Sequence, residues 1–255
     1  MFRLHSMVLF TSLAVGSIIA PDTNQKPLGP DRNQALSSPD SDKVHDALLE
    51  SKIIPEVSNM GLLVIEDFEP AFLITVEWPG GDEHRANLGN DVEPGDWISK
   101  APSITLTPVI HTEILCGLEP KIGPNSNLAN LTYAVAMTDP DVPARDDPEK
   151  TEVCHWVATG HPVVNPRMEG SDCHTLSIGD LEDVVSYRPP SPPEKTGPHR
   201  YVFILLAHVP PTTGPLDLKK PERVWGRNGG VKEWARGNSL VPVGSNFLYA
   251  HNPVQ

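Results

Sequence analysis

Apolar and polar residues alternate along several short stretches of this chain. From Ala71 to Trp78, Phe72, Ile74, Val76 and Trp78 fall on one side of an extended backbone and Thr75 and Glu77 on the other, and Pro79-Gly80-Gly81 ends the run. Leu131, Tyr133, Val135 and Met137 alternate with Thr132, Ala134 and Ala136. A period of two predicts strands. Gly61–Ile65 and Ser103–Ile110 are further strand candidates, and His199–His208 is the most apolar strand candidate of all. Cys154–Gly160 is predicted as a strand with His155, Val157 and Thr159 on one face and Trp156 and Ala158 on the other. Ser177–Val185 holds a short strand and an Asp-rich turn, and Pro242–Tyr249 a final extended segment. Helical signals are few. Ser41 or Asp42 can cap a short helix from near Lys43, with Val44, Ala47 and Leu48 on one side and Pro55 as its stop, and Val231–Arg236 forms another around Trp234. The stretches between, including a charged segment up to Lys100, irregular His161–Leu176, proline-laden Tyr187–Gly197 and basic Lys219–Gly230, are expected as loops. Strands at short intervals with no alternating βα pattern predict a mostly β, antiparallel fold.

Composition narrows this picture. With 255 residues, 28 Pro and 19 Gly, the chain has enough length for one good-sized core linked by many turns, expected over 43–255. A net charge of −13 without a basic cluster of matching size argues against nucleic acid and anionic membrane surfaces as partners. Met1–Ala20 combines Arg3 with an apolar run from Met7 that is too short and too polar to span a membrane, and is expected as a signal peptide. Polar Pro21–Asp42 is expected as a disordered lead-in. Asn130-Leu131-Thr132 is an N-glycosylation sequon. Together these predict the secretory pathway, with a secreted or vacuolar/vesicular destination and no transmembrane segment. Three cysteines, Cys116, Cys154 and Cys173, allow one disulfide or none; Cys116–Cys173 is the favoured pair, because Cys154 sits inside a strand that carries candidate chemistry.

That chemistry begins at Thr138-Asp139-Pro140-Asp141-Val142-Pro143-Ala144-Arg145. Pro140 and Pro143 stiffen a run holding two carboxylates, expected on a loop at a strand end; turn-making and function are both open to such a run. His199 and Tyr201, two apart on a strand, project from one face. If their strands are neighbours, His155, His199, Asp139, Asp141 and Tyr201 would share one rim. Carboxylates can hold a histidine protonated, and histidinium with a phenol is a donor set for phosphate or carboxylate. Cys154 beside His155 invites a thiol–imidazole pair, but strand neighbours point to opposite faces. No G-x-S-x-G, P-loop, G-x-G-x-x-G or zinc-type spacing occurs, so neither cofactor nor metal is predicted.

The T-D-P-D-x-P-x-R run, a histidine 16 positions after its first Asp, and the later Gly197-Pro198-His199-Arg200-Tyr201-Val202-Phe203 resemble the phosphatidylethanolamine-binding protein family, over roughly Val44 to Tyr249. The resemblance implies a β-sandwich of two packed sheets with a few short peripheral helices. It implies a small anion-binding pocket of Asp139, Asp141, Pro143, His155, His199 and Tyr201, with Tyr187 at the start of a loop lining the mouth, and Arg145 and Arg200 as braces. Two departures stand out: Pro189 and Ser191 replace frequent glycines in that loop, and Val153-Cys154 replaces an aromatic–histidine pair before His155. Three functions follow from the resemblance. The pocket can bind a small anionic molecule or a phospholipid head group. It can serve an enzyme of a fungal secondary-metabolite pathway that couples maleic anhydride monomers, with His155, His199 and Asp139 catalytic. Or the chain can inhibit a serine carboxypeptidase through Pro21–Asp42 or the 188–193 loop.

Overall fold

The computed structural model describes residues 39–55, 64–81, 83–109, 130–145, 151–165 and 175–254. The expected signal peptide, most of the expected lead-in, Cys116, Cys173 and the first half of the Gly61–Ile65 strand candidate lie outside these residues.

Two sheets carry the fold. The first contains β1 (Phe72–Glu77), β2 (Arg85–Ala86), β4 (Ser103–Pro108), β7 (Pro162–Val164) and β8 (Leu176–Ile178), in the order β2-β1-β4-β8-β7. The second contains β3 (Asn90–Val92), β5 (Tyr133–Val142), β6 (Thr151–Gly160), β9 (Glu182–Val185), β10 (His199–His208) and β11 (Leu240–Ala250), in the order β3-β11-β10-β5-β6-β9. Pairing is antiparallel except for the short parallel contact of β3 with β11. Two short helices, α1 (Pro39–Glu50) and α2 (Gly230–Gly237), complete the described structure with two 3-10 turns, Asp96–Ser99 and Gly226–Asn228. The mostly β sandwich is therefore the observed architecture.

The hydrophobic pattern accounts for two cores. Between the sheets, Phe72, Ile74 and Val76 of β1 and Ile104 and Leu106 of β4 meet Tyr133, Val135 and Met137 of β5 and Tyr201, Phe203 and Leu205 of β10. The alternate residues, Ala134, Ala136, Val202, Ile204 and Leu206, form a second core under α1 (Val44, Leu48), α2 (Val231, Ala235) and Trp225. The six-stranded sheet is thus covered on both faces, which is why β10 is apolar almost throughout instead of alternating. Small Ala134 and Ala136 keep β5 thin on the helix side.

Five expectations need correction. The Asp-rich run does not follow β5 as a loop; the strand continues through Asp139-Pro140-Asp141 to Val142, bulging against β6 between Asp139 and Val142. A bulge tolerates proline because it removes one ladder hydrogen bond. A second shift in the β5–β6 register, between Met137 and Thr138, breaks the predicted alternation of β6. Trp156 joins the inter-sheet core and Val157 the helix-side core, while His155 packs against Tyr201 on the inter-sheet side. Helix α1 starts at Pro39, ahead of Lys43, because a proline in the first turn loses no helical hydrogen bond. Val64 and Ile65 form a bend that packs into the helix-side core, and the charged segment before Lys100 contributes β2 and β3.

Candidate functional site

The site lies where β5, β6 and β10 run side by side. The β5–β10 register pairs Val202 with Thr138, which brings the Asp139 end of β5 alongside the His199 end of β10. His199 donates from Nδ1 to Oδ2 of Asp139 at 2.9 Å, both groups being buried. Its Nε2 lies 2.8 Å from the hydroxyl of Thr196, which itself donates to the Pro193 carbonyl at 2.8 Å. The Thr196 hydroxyl thus links the His199 ring to the proline-rich loop. The other oxygen of Asp139 accepts the Asp141 backbone N–H at 2.8 Å.

Tyr201, two residues along β10, presents its hydroxyl to the same carboxylate and accepts the Ser191 backbone N–H at 3.2 Å. Burial first, then the charge of Asp139, push the phenol far above its ordinary value, so the proton stays on oxygen. The His155 ring stands edge-on to Tyr201, with centroids 5.1 Å apart. Its Nδ1 donates to the Arg188 carbonyl at 2.9 Å, and the Arg188 N–H returns to the His155 carbonyl at 2.8 Å. Burial pulls His155 below its ordinary 6.5, against the Arg188 hydrogen bond and the Asp139 charge, which act the other way. The expected carboxylate-held histidinium is thus not the state of His155, because desolvation outweighs its neighbours. With Nδ1 protonated, its Nε2 is a lone pair, and no described residue bonds to it.

Asp141 is committed elsewhere. Arg200 donates Nε to Oδ2 at 2.8 Å, Nη2 to Oδ1 at 2.6 Å and its backbone N–H to Oδ2 at 2.9 Å. Nη1 of the same guanidinium reaches the carbonyls of Ser51 and Lys52, tying the segment after α1 to the strand ends. Burial alone would raise Asp141; the Arg200 hydrogen bonds and charge outweigh it and hold the carboxyl below 3.8. Arg145 lies over the Tyr249 ring at 5.4 Å and adds to that field.

Of the residues named from sequence, Asp139, His155, His199 and Tyr201 converge, and Asp141 joins them through Asp139 and Arg200. Tyr187 faces elsewhere, its hydroxyl donating to the Ile98 carbonyl and its ring meeting Trp156. Pro143 is exposed, just past β5. Asn130 occupies the turn before β5. The Cys154 thiol lies in the helix-side core, opposite His155, with burial pushing it up to about 12, which removes it as a nucleophile at neutral pH.

Sequence reasoning missed three contributors. Thr196 and the Ser191 N–H draw the proline-rich 188–196 loop over the site. Arg223 donates to the carbonyls of Cys154, His155 and Ser186 at 3.2, 3.1 and 2.7 Å, holding the irregular stretch of β6. Arg223 sits in a basic run with no visible period, so nothing local marks it. Among the described residues no group of three His, Cys, Asp or Glu is placed to hold a metal ion, and no helix is long and apolar enough to cross a membrane.

Comparison with known proteins bears on the family and the fold. Residues 92–247 match the family described as phosphatidylethanolamine-binding protein. A carboxypeptidase Y inhibitor of Saccharomyces cerevisiae is 32% identical over 128 residues, 46% of this chain and 58% of the inhibitor, so the match spans under two thirds of that relative. An uncharacterized S. cerevisiae protein, YLR179C, is 30% identical over 177 residues, 67% of this chain and 78% of its own length. Among solved structures, a carboxypeptidase Y inhibitor complexed with its cognate proteinase superposes with a TM-score of 0.62 at 23% identity, over 86% of this chain and 99% of that one. A phosphatidylethanolamine-binding protein from Plasmodium vivax gives 0.52 at 18% identity, over 81% and 96%. At these identities the structural likeness concerns the fold.

Proposed function

We propose, from the premise that this chain belongs to the phosphatidylethanolamine-binding protein family, that His155, Tyr201, Asp139 and His199 form a pocket for the anionic head of a small molecule. The observation that carries the reading is Nε2 of His155, a buried polar atom without a partner among the described residues. Buried polar groups are normally satisfied, and leaving one open costs about 1–3 kcal/mol. A ligand oxygen would fill that position beside the fixed Tyr201 and Asp139.

The chemistry of the ligand follows from proton count. A lone pair on Nε2 repels a fully ionised oxygen, so binding requires one proton, taken up by His155 or carried in on a P–OH or carboxylic acid. Carboxylates and phosphate diesters meet this condition when His155 takes up the proton, and inorganic phosphate also carries its own P–OH near neutral pH. Asp139 holds the His199 and Tyr201 donors in place, and Asp141 with Arg200 braces the strand ends. A phospholipid head group and free phosphate share this chemistry. Titration with inorganic phosphate and with short-chain phosphatidylethanolamine micelles separates the two.

Calorimetric titration with phosphate tests the reading. His155→Ala is expected to weaken binding by about tenfold to a hundredfold, the value of one charge-assisted hydrogen bond, and His199→Ala to weaken it through loss of the Asp139 arrangement. Where His155 supplies the proton, as for a fully ionised phosphate diester, affinity should fall as pH rises, by about tenfold per unit above the lowered His155 value. Unchanged titrations in both variants would sink the pocket.

A second reading has its own support in the likeness to a carboxypeptidase Y inhibitor. The 188–193 loop is braced, with Pro190 and Pro192 buried and the Pro192 carbonyl accepting from Asn252 at 3.1 Å, so this reading places the inhibitory segment ahead of α1. Inhibition of a serine carboxypeptidase by the full chain, lost on removing residues 1–38, would establish it; no inhibition at micromolar concentration would end it.

A further inference from the structure

A buried carboxyl outside the pocket network is left without a countercharge. Glu152, near the start of β6, keeps part of its surface exposed, but its carboxyl end is enclosed. Oε1 lies 2.7 Å from the Thr138 hydroxyl of β5, whose one proton it shares with the Val153 carbonyl at 3.1 Å, and accepts the Val231 backbone N–H, in the first turn of α2, at 3.0 Å. The Trp225 indole donates to the Thr138 oxygen at 3.1 Å and bears on the carboxyl as well. Oε2 faces Gly230, where a side-chain carbon would collide with it, and Gly230 holds φ +68. Gly226 in turn rests on the Glu152 backbone nitrogen, where a Cβ would also collide. Two glycines are thus required for the 226–230 segment to close on this one residue.

We propose that Glu152 is a proton-linked clamp, fastening the Trp225–Gly237 segment to β5 and β6 when its carboxyl is protonated and weakening that attachment when it ionises. The charged groups around it favour the neutral form. Asp139, one residue from Thr138 on β5, is a like charge; Cys154, two residues along β6, is a buried thiol. From the α2 side come the Val231 N–H, the Trp225 indole and the Gly226 and Gly230 backbone, with Glu233 packed over Gly229. Among the described residues no lysine or arginine forms an ion pair with Glu152. Burial first, and Asp139 with it, raise the carboxyl from 4.5 to about 7, against the Thr138, Val231 and Trp225 hydrogen bonds. A folded-state value above the unfolded one means that the folded chain binds the extra proton. Its stabilising effect is complete below about 4.5 and is lost as the pH rises through about 7.

The test is thermal and urea unfolding of the full chain from pH 5 to 9, without ligand (a pH range set on the order of two units either side of the midpoint). Relative to Glu152→Gln, the unmodified protein should lose about tenfold in its folding constant per pH unit as the pH rises toward about 7, one proton's worth, and level off above it. Glu152→Gln keeps the acceptor for Thr138 and Val231 but cannot ionise, so its profile should lack that slope. Identical slopes in the two proteins would overturn the proposal. Should Glu152→Gln not fold, infrared titration of the unmodified protein reads the carboxyl directly, and Thr138→Val, lacking a donor to the carboxylate, should move the midpoint upward. A carboxyl band titrating near 4.5 instead, or one insensitive to Thr138→Val, would equally overturn it. The clamp does not depend on the pocket: failed phosphate titrations with an intact Glu152-dependent slope would remove the pocket and leave the clamp.

Discussion

Asp141 and Glu152 are two buried carboxyls near the same end of neighbouring strands, solved in opposite ways. Around Asp141 both oxygens are met by a cation: the Arg200 guanidinium grips each of them and spends its remaining amino group on the carbonyls after α1. Around Glu152 the donors are neutral, a hydroxyl, an indole and a backbone N–H, and the nearest named charge is a carboxylate. The first carboxyl is held ionised below its usual value and the second is pushed toward neutrality. Burial is common to both. The difference lies in whether a cation comes with it, and so the two should respond to pH in opposite directions.

Breaking the compensated side should produce the largest effect. Arg200→Ala leaves Asp141 buried and unpaired, and should cost about 3–5 kcal/mol in urea unfolding. Exchanging both partners together, Arg200→Met with Asp141→Leu, should recover much of that loss, and no recovery would show that the Ser51 and Lys52 carbonyls are the main debtors. Thr138→Val, on the uncompensated side, removes one donor and should cost about 1–3 kcal/mol at alkaline pH and less in acid, where Glu152 is neutral. Trp225→Phe, which loses the indole N–H above Thr138 together with part of a buried ring, should cost about 1–3 kcal/mol.

The pH profile sharpens the same contrast. Glu152, with its value raised, contributes stability at low pH that is lost upward through about 7. Asp141, with its value lowered, contributes stability above about 3.8 that is lost only as the pH falls through the lowered value. His155 is also lowered, so its contribution is present above 6.5 and lost on acidification. Maximal stability is expected on the acid side of neutrality, bounded by His155 and Asp141 below and Glu152 above. A His155→Ala protein should lose the fall in stability below 6.5 while retaining the Glu152 loss that runs up to about 7, as read by unfolding midpoints across the range.

How much of this was written in the sequence depends on the range of the cause. Strands β1 and β10 were legible because a local period or an unbroken apolar run is itself the burial pattern. Asp139, His199 and Tyr201 were legible because two motifs carried them, and Arg200 because it sits between a motif histidine and tyrosine. The bulges of β5 and β6 were not, since register is decided by a partner strand that no local pattern reveals. Glu152 was not legible either, because no local pattern marks it for burial. Its burial depends on Trp225, Gly226, Gly230 and Val231, more than seventy positions away in the sequence.

The order of strands has a consequence for the protein in crowded solution. Among the described residues the outermost strands, β2 and β7 in one sheet and β3 and β9 in the other, are 2, 3, 3 and 4 residues long, whereas the long apolar β5, β10 and β11 are interior. An open edge recruits another chain through its row of unpaired backbone groups, and a short edge offers few of them. The segments most able to stack with copies of themselves are therefore sheltered by the least able, and self-association through strand addition should require prior loss of a sheet margin rather than proceed from the folded state.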